Sequence, residues 1–290
     1  GAGKYQEMKT SVYTFLITFA VLSSLLALFG FFSNPHVMAA LNTPQNIYED
    51  AVLYLQLYFL GLPFMFMYNV LAADFNAMGK SGIPLCLLIF SSLLNIFLDL
   101  LMVVRFHMGV AGVAIATVIA QGVSAVISFS ILMLLLRTYP VKERPRLFQT
   151  SMLIHGTKIA IPSIIQQSIV SIGMLLTQSS VNQFGSSALA GYSAGMRLES
   201  IAIVPMIGTG NAMSTFTAQN LGAGQPERVK QGYRISYGII AGFAVFLFLV
   251  CEFFYGAILS VFLDAGASSV AYETGASCLR FTGCFFCLIG

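Results

Sequence analysis

Gly1-Ala2-Gly3-Lys4 opens the chain, and Gly222-Ala223-Gly224-Gln225 restates it about 221 residues later. The residues after each copy also match in outline. After the first come Lys9, a long apolar stretch, an acidic loop, and Tyr58-Phe59-Leu60-Gly61-Leu62-Pro63-Phe64. After the second come Lys230, another apolar stretch, Asp264, and Arg280-Phe281-Thr282-Gly283-Cys284-Phe285-Phe286. The chain therefore reads as a fragment. It opens partway through its unit without an initiator Met, holds one copy, and begins a second. Internal symmetry of this kind in a very apolar chain is common among transporters.

Hydrophobic residues make up 57% of the chain and charged residues 9%, with a mean hydropathy of +0.84. Soluble domains carry roughly 25% charged residues, so water is not the main solvent for this surface. The pattern predicts eight apolar spans, roughly 11–32, 50–75, 83–104, 109–137, 155–183, 187–220, 230–256 and 270–290. Each is long enough to cross about 30 Å of hydrocarbon as a helix. The alternation of an outer-membrane barrel is absent. The class is an all-α polytopic membrane protein. Expected breakers are Asn34-Pro35, Thr43-Pro44, Gly79-Lys80-Ser81-Gly82, Pro140 with Pro145, Gly185, and Gly224-Gln225-Pro226. Pro63, Pro162 and Pro205 fall inside spans, where proline marks kinks.

Eleven of the fourteen Lys and Arg fall at one set of span ends. The positive-inside rule then makes residues 1–9, 76–82, 138–154 and 221–229 cytoplasmic in a multi-pass protein of the cell (inner) membrane. The one sizeable polar connection, 138–154, is the expected boundary between an N-terminal lobe, 1–137, and a C-terminal lobe, 155–290.

Other classes are poorly served. A dispersed net charge of +3 gives no footprint for nucleic acid. His36, His107 and His155 are scattered, with no paired acids, nucleophile–base arrangement or metal spacing, so neither an enzyme nor a cofactor is expected. The five Cys sit in apolar runs as small core residues, and Cys284-x-x-Cys287 lies within one hydrophobic helix.

Ionisable residues inside spans each need an explanation, since one near the bilayer centre costs at least about 2.5–3.5 kcal/mol. Asn95 and Asp99 are four apart and share a helical face. The next span runs back and carries Thr117. Asn95 and Thr117 each lie about 14 Å below the same end of their helices, with Asp99 about one turn nearer that end. Three oxygen-bearing side chains thus meet at similar depth. Hard oxygen ligands with one carboxylate suit a proton or Na⁺. Pairing of Asp99 with Arg105 is the alternative. Arg197, Glu199 and Arg280 form a second set at mid-depth, with Glu199 to Arg280 the expected contact, either as a structural ion pair or in substrate or proton handling. Gln166, Gln167, Gln178 and Asn182 give the fifth span a polar face suited to a cavity or to helix contacts. Asp74, Glu252 and Glu273 sit near helix ends, where water is expected to reach them.

Several of these segments resemble the multidrug and toxic compound extrusion (MATE) family. They are Gln219-Asn220-Leu221-Gly222-Ala223-Gly224, Ile161-Pro162-x3-Gln166-Gln167, Asn95-x3-Asp99, and Gly109-Val110-Ala111-Gly112-Val113-Ala114-Ile115-Ala116-Thr117. The resemblance implies twelve helices in two pseudo-symmetric six-helix lobes, of which this chain supplies about helices three to ten. It further implies alternating-access export of organic cations or amphiphilic drugs in exchange for H⁺ or Na⁺. In one branch the cation site uses an Asp on the first helix, an Asn and an Asp on the fifth, and a Thr on the sixth. Asn95, Asp99 and Thr117 match the last three and would be the ligands if the ion is Na⁺. A second branch uses a Glu in helix seven, but residues 164–172 contain no acid. The expected partners are small organic substrates and membrane lipids, and the expected state is a monomer. A lipid or lipid-linked sugar flippase is the alternative of similar architecture. It would need a strongly cationic cavity, for which only Arg197 and Arg280 are available.

Overall fold

In the computed structural model, which describes residues 2–40, 45–141, 143–263 and 268–289, helices account for all the regular structure among the described residues. They are α1 Tyr5–Ala40, α2 Gln45–Ala77, α3 Gly82–Leu100, α4 Gly109–Thr138, α5 Thr150–Asn182, α6 Ser186–Gly222, α7 Pro226–Phe262 and α8 Ser269–Ile289. A π turn, Leu101–Arg105, extends α3. Each expected apolar span lies within or nearly coincides with one of these helices. Among the described residues, however, only α1 to α5 and α7 are long and apolar enough to cross a membrane by length and composition. α6 and α8 fall outside that set. Arg197 and Glu199 interrupt α6 among many Ser, Thr, Asn and Gln, while Glu273 and Arg280 dilute α8.

One expected breaker does not break. α1 runs through Asn34-Pro35. Proline forfeits one backbone hydrogen bond there, but side chains hold the turn against α2. The Asn34 amide donates to the Val52 carbonyl at 2.7 Å, and the Tyr48 hydroxyl donates to the Pro35 carbonyl at 2.9 Å. Pro63, Pro162 and Pro205 also lie inside continuous helices. Thr43-Pro44 and Asp264 lie outside the described residues.

The chain divides into two compact units, Lys4–Thr157 and one drawn from Lys158–Gly290. Because α5 begins at Thr150, the last residues of the polar 138–154 segment are already helical.

In the first unit α2 packs against α1 and α4, and α3 packs against α4. Its core takes Val12 and Leu16 from α1, Leu71 and Phe75 from α2, and Leu132 and Leu136 from α4. Each pair is spaced i,i+4, so each helix presents one ridge to the others. Beside this core Lys9 is buried, and its ammonium donates to the Tyr139 carbonyl at 2.9 Å. Tyr139 caps the C-terminus of α4, where the helix dipole favours positive charge. Replacing Lys9 with Met keeps the apolar stem but removes this charged hydrogen bond. We expect a loss of about 1.5–3 kcal/mol, read as a lower thermal midpoint in detergent; an unchanged midpoint would refute the role.

In the second unit α6, α7 and α8 pack on one another. Gly191 and Gly195 face α8 closely. A Cβ on Gly191 would fall well inside contact with the Ala271 carbonyl oxygen, and one on Gly195 would sit 3.1 Å from Cys278 Sγ. Small residues four apart let two helical backbones approach this way within a bilayer.

The sequence repeat has a structural counterpart. Gly3 (φ 68°) and Gly224 (φ 71°) both adopt the left-handed conformation just before α1 and α7, a region that glycine enters without steric cost. In each copy the helix so started packs on its successor, α1 on α2 and α7 on α8.

Candidate functional site

The α3–α4 hairpin positions the polar residues of the first unit. α3 carries Asn95 and Asp99 on one face, and α4 returns alongside it. Asn95 donates its amide to the Thr117 hydroxyl at 3.4 Å, and that hydroxyl donates to the Val113 carbonyl at 3.0 Å. One turn away, the Ser91 hydroxyl donates to the Ala120 carbonyl at 3.4 Å. Asn95 and Thr117 therefore meet. Asp99 lies one turn further along the same helix, and its Oδ1 is buried with no hydrogen-bond partner. Among the described residues it forms no ion pair with Arg105.

Two glycines set the spacing. A Cβ on Gly112 would sit 3.0 Å from Met108 and 3.1 Å from Met102, so the hairpin closes tightly beyond Asp99. A Cβ on Gly61 would fall 2.5 Å from Val118 Cγ2, bringing α2 against α4 beside Thr117. The π turn Leu101–Arg105 begins two residues after Asp99. Such turns insert an extra residue into a helix and are frequent at functional sites.

Sequence reading missed the polar row that continues from Thr117. Gln121, Ser124 and Ser128 come after it at helical spacing down α4. Ser124 and Ser128 are buried, while Gln121 Oε1 and Ser124 Oγ have no hydrogen-bond partner. The i, i+4, i+7, i+11 spacing was visible. It escaped notice because Gln and Ser are ordinary helix residues in isolation. With Asp99 Oδ1 they give one helix hairpin three unsatisfied buried oxygens, in a protein interior where such atoms are costly.

Other acids and bases are placed differently from expectation. Arg280 pairs with Glu252 of α7, not with Glu199. Its Nε and an Nη donate to the two carboxylate oxygens at 2.9 and 2.5 Å. Glu199 lies on α6 and Glu252 on α7, so the two carboxylates approach α8 from different helices, and Arg280 turns toward α7. Glu252 makes this pair while its side chain stays partly exposed, in keeping with the expected access to water. Asp74, also expected to be solvated, buries its Oδ2 without a partner. Glu273 and Arg197 are exposed. Gln166 and Gln167 lie exposed on α5, Gln178 is half-buried, and the side chain of Asn182 lies outside the described residues. Cys251 is a core residue as expected, but Cys86 and Cys284 are exposed, and the side chain of Cys287 is not among those described. A cavity of about 540 Å³ between α6 and α7 is lined by Thr209, Met213, Ser214, Thr217, Tyr233 and Tyr237 among others.

Comparison with known proteins agrees with this architecture. The MatE family model matches residues 1–101 and 162–289. The probable multidrug resistance protein YpnP of Bacillus subtilis (strain 168) is 30% identical over 230 residues, covering 79% of this chain and 51% of the relative. The probable multidrug resistance protein YoeA of the same organism is 30% identical over 277 residues, covering 91% of this chain and 58% of the relative. This chain thus spans between half and three fifths of the length of these relatives. A solved structure of the Vibrio cholerae MATE transporter VcmN superposes with a TM-score of 0.89 at 20% identity, covering 99% of this chain and 64% of that one. The family is one of membrane transporters rather than enzymes, and the long apolar helices make this a multi-pass membrane protein. With more than half of its residues matched by the family model and nearly all of its backbone shared with a family structure, the chain belongs to the multidrug and toxic compound extrusion family.

Proposed function

We propose that the protein exports organic cations or amphiphilic drugs by alternating access, driven by exchange for H⁺ or Na⁺ at Asp99. The observation that carries this reading is the unsatisfied, buried Asp99 Oδ1, one turn from the Asn95–Thr117 hydrogen bond. A carboxylate oxygen withdrawn from water without a donor is a site that gains from a proton or a hard cation. Asn95 Oδ1 and Thr117 Oγ1 are oxygens of the right kind to complete an Na⁺ shell, and a proton needs only Asp99. Drug efflux is what the names of the relatives point to.

Coupling follows from linkage. An ion that binds one conformation more tightly shifts the protein toward it, and a substrate that prefers the other conformation is weakened by the same factor. The inward ion gradient then drives export. The flippase alternative is weakened because the Glu252 carboxylate neutralises Arg280, one of the two basic residues it relied on. A monomer in the cell membrane, with residues 1–9, 76–82, 138–154 and 221–229 on the cytoplasmic side, fits this scheme, as do two lobes joined through 138–154.

The test is efflux of a fluorescent organic cation from proteoliposomes under a proton gradient or a Na⁺ gradient imposed separately. One gradient should drive efflux and identify the ion. Equal, gradient-independent leakage under both would reject exchange transport.

A further inference from the structure

The loop between α4 and α5 is pinned to α1 at both ends, and what it carries between the pins fits a membrane surface. At one end the buried Lys9 ammonium donates to the Tyr139 carbonyl. At the other, the Gln149 backbone amide donates to the Thr14 hydroxyl at 3.1 Å, and Thr14 is fully buried. The start of α5 is held as well. The Phe15 ring of α1 occupies the space that a Cβ on Gly156 would need. Pro140 and Pro145 fix φ at two positions within the loop. The loop therefore has a set height on α1.

Thr14 lies five residues beyond Lys9 on α1, about 7.5 Å further into the membrane at 1.5 Å per residue. The chain thus leaves α4 near the Lys9 level and enters α5 deeper, and its residues sort along that descent. Arg144 and Arg146 come first and are exposed, as is Arg137 in the last turn of α4. None of the three makes a side-chain hydrogen bond or ion pair among the described residues. Glu143 is the one acid of segment 137–149, against four basic residues. Leu147 and Phe148 come last, next to the deep pin, and are 67% and 45% exposed. Charge followed by exposed apolar side chains suits the headgroup–acyl boundary, where such side chains reach about 5–10 Å in. Phosphate supplies the counter-charge that the arginines lack, since a guanidinium binds it through two parallel N–H donors.

We propose that residues 144–148 dock on the bilayer surface and hold an anionic phospholipid there. Arg144 and Arg146, with Arg137 just ahead of the loop, donate to the headgroup phosphate. Leu147 and Phe148 lie among the upper acyl carbons. The occupant is a lipid and not a soluble anion, because the two apolar side chains need an acyl layer next to the charges. The positive balance of the segment selects a headgroup whose phosphate carries no cation of its own. This site makes no use of Asn95, Asp99 or Thr117, so it stands or falls apart from the transport reading.

The chain contains no Trp, so Phe148→Trp places a single fluorophore at the deep end of the loop. The variant is set in nanodiscs of phosphatidylcholine mixed with phosphatidylglycerol, with one lipid at a time brominated on its upper acyl carbons. Its emission should be quenched by brominated lipid and should resist aqueous acrylamide. At low salt, phosphatidylglycerol should be favoured over phosphatidylcholine at least about fivefold, the factor that one Arg at an anionic surface supplies. Adding Arg144→Gln with Arg146→Gln should bring that ratio close to one, while Arg144→Lys with Arg146→Lys should keep most of it. Raising the salt should shrink it, because exposed charges are screened over about 8 Å at physiological ionic strength. Quenching by acrylamide and not by lipid would put the loop in water, and quenching by neither would put it under protein. Either result would overturn the proposal, as would equal quenching by the two lipids or a preference that survives the double Gln substitution. Should the Gln variant lose helicity by circular dichroism, the Phe148→Trp ratio and its salt dependence decide.

Discussion

Replacing Asp99 with Asn should cut ion-driven export by about 5–150-fold while leaving the protein folded. The substitution preserves size and leaves an amide oxygen where the carboxylate stood, so the α3–α4 hairpin keeps its packing. What it removes is the ability to gain and lose charge with the bound ion. Coupling free energies between two ligands of one protein are typically 1–3 kcal/mol, or about 5–150-fold in affinity. We expect the gradient-dependent part of fluorescent-cation efflux to fall by a factor in that range. Substrate binding without a gradient should persist, because no substrate contact is assigned to Asp99. Wild-type efflux from Asp99→Asn, under the gradient that drives the parent, would count against the role. Asn95→Leu should give the same direction with a smaller loss if the ion is Na⁺, since it removes one oxygen from the shell rather than the charge.

A second large effect is expected at Gly191. The α6 backbone there lies so close to Ala271 and Gly275 of α8 that any Cβ collides with main-chain atoms. A side-chain collision is relieved by a rotamer change, but a backbone collision is relieved only by moving a helix. Overpacking of well-packed cores usually costs about 1–3 kcal/mol, occasionally more, and Gly191→Val belongs at the upper end. It should part α6 from α8, opening the core of Ala194, Leu259, Leu263, Ala271 and Leu279. Thermal unfolding in detergent, followed by circular dichroism, should show a clearly lower midpoint than Gly208→Val, since nothing lies within 4 Å of a Cβ at Gly208 of the same helix. Equal midpoints for the two variants would contradict the close crossing.

What the sequence made legible was what periodicity and composition control directly. Eight apolar runs became eight helices, and the repeated Gly-Ala-Gly became two left-handed glycines ahead of α1 and α7. The meeting of Asn95 with Thr117 followed from counting residues back from a short turn, because the hairpin fixes register between adjacent antiparallel helices. Contacts between helices without such a tether were harder. Arg280 chose Glu252 over Glu199 because of its angular position on α8, which depth alone does not specify. The close crossing of α6 and α8 was announced by Gly191-x3-Gly195, a spacing that mechanism alone could have flagged. The π turn after Asp99 had no sequence signal, since residues 101–105 are ordinary helix formers but for β-branched Val103 and Val104. Asn34-Pro35 looked like a terminator because the Asn34 and Tyr48 hydrogen bonds that carry α1 across it come from or reach α2.

The most direct test of the whole scheme tracks the ion itself. Purified protein in weakly buffered detergent is mixed with tetraphenylphosphonium while a pH indicator and a Na⁺ indicator are read together. If a carboxylate in the α3–α4 hairpin trades its ion against substrate, adding the organic cation should release one of the two ions from the wild type and neither from Asp99→Asn. Release of the same amount from Asp99→Asn, or release of neither ion from a wild type that binds the organic cation, would contradict the account.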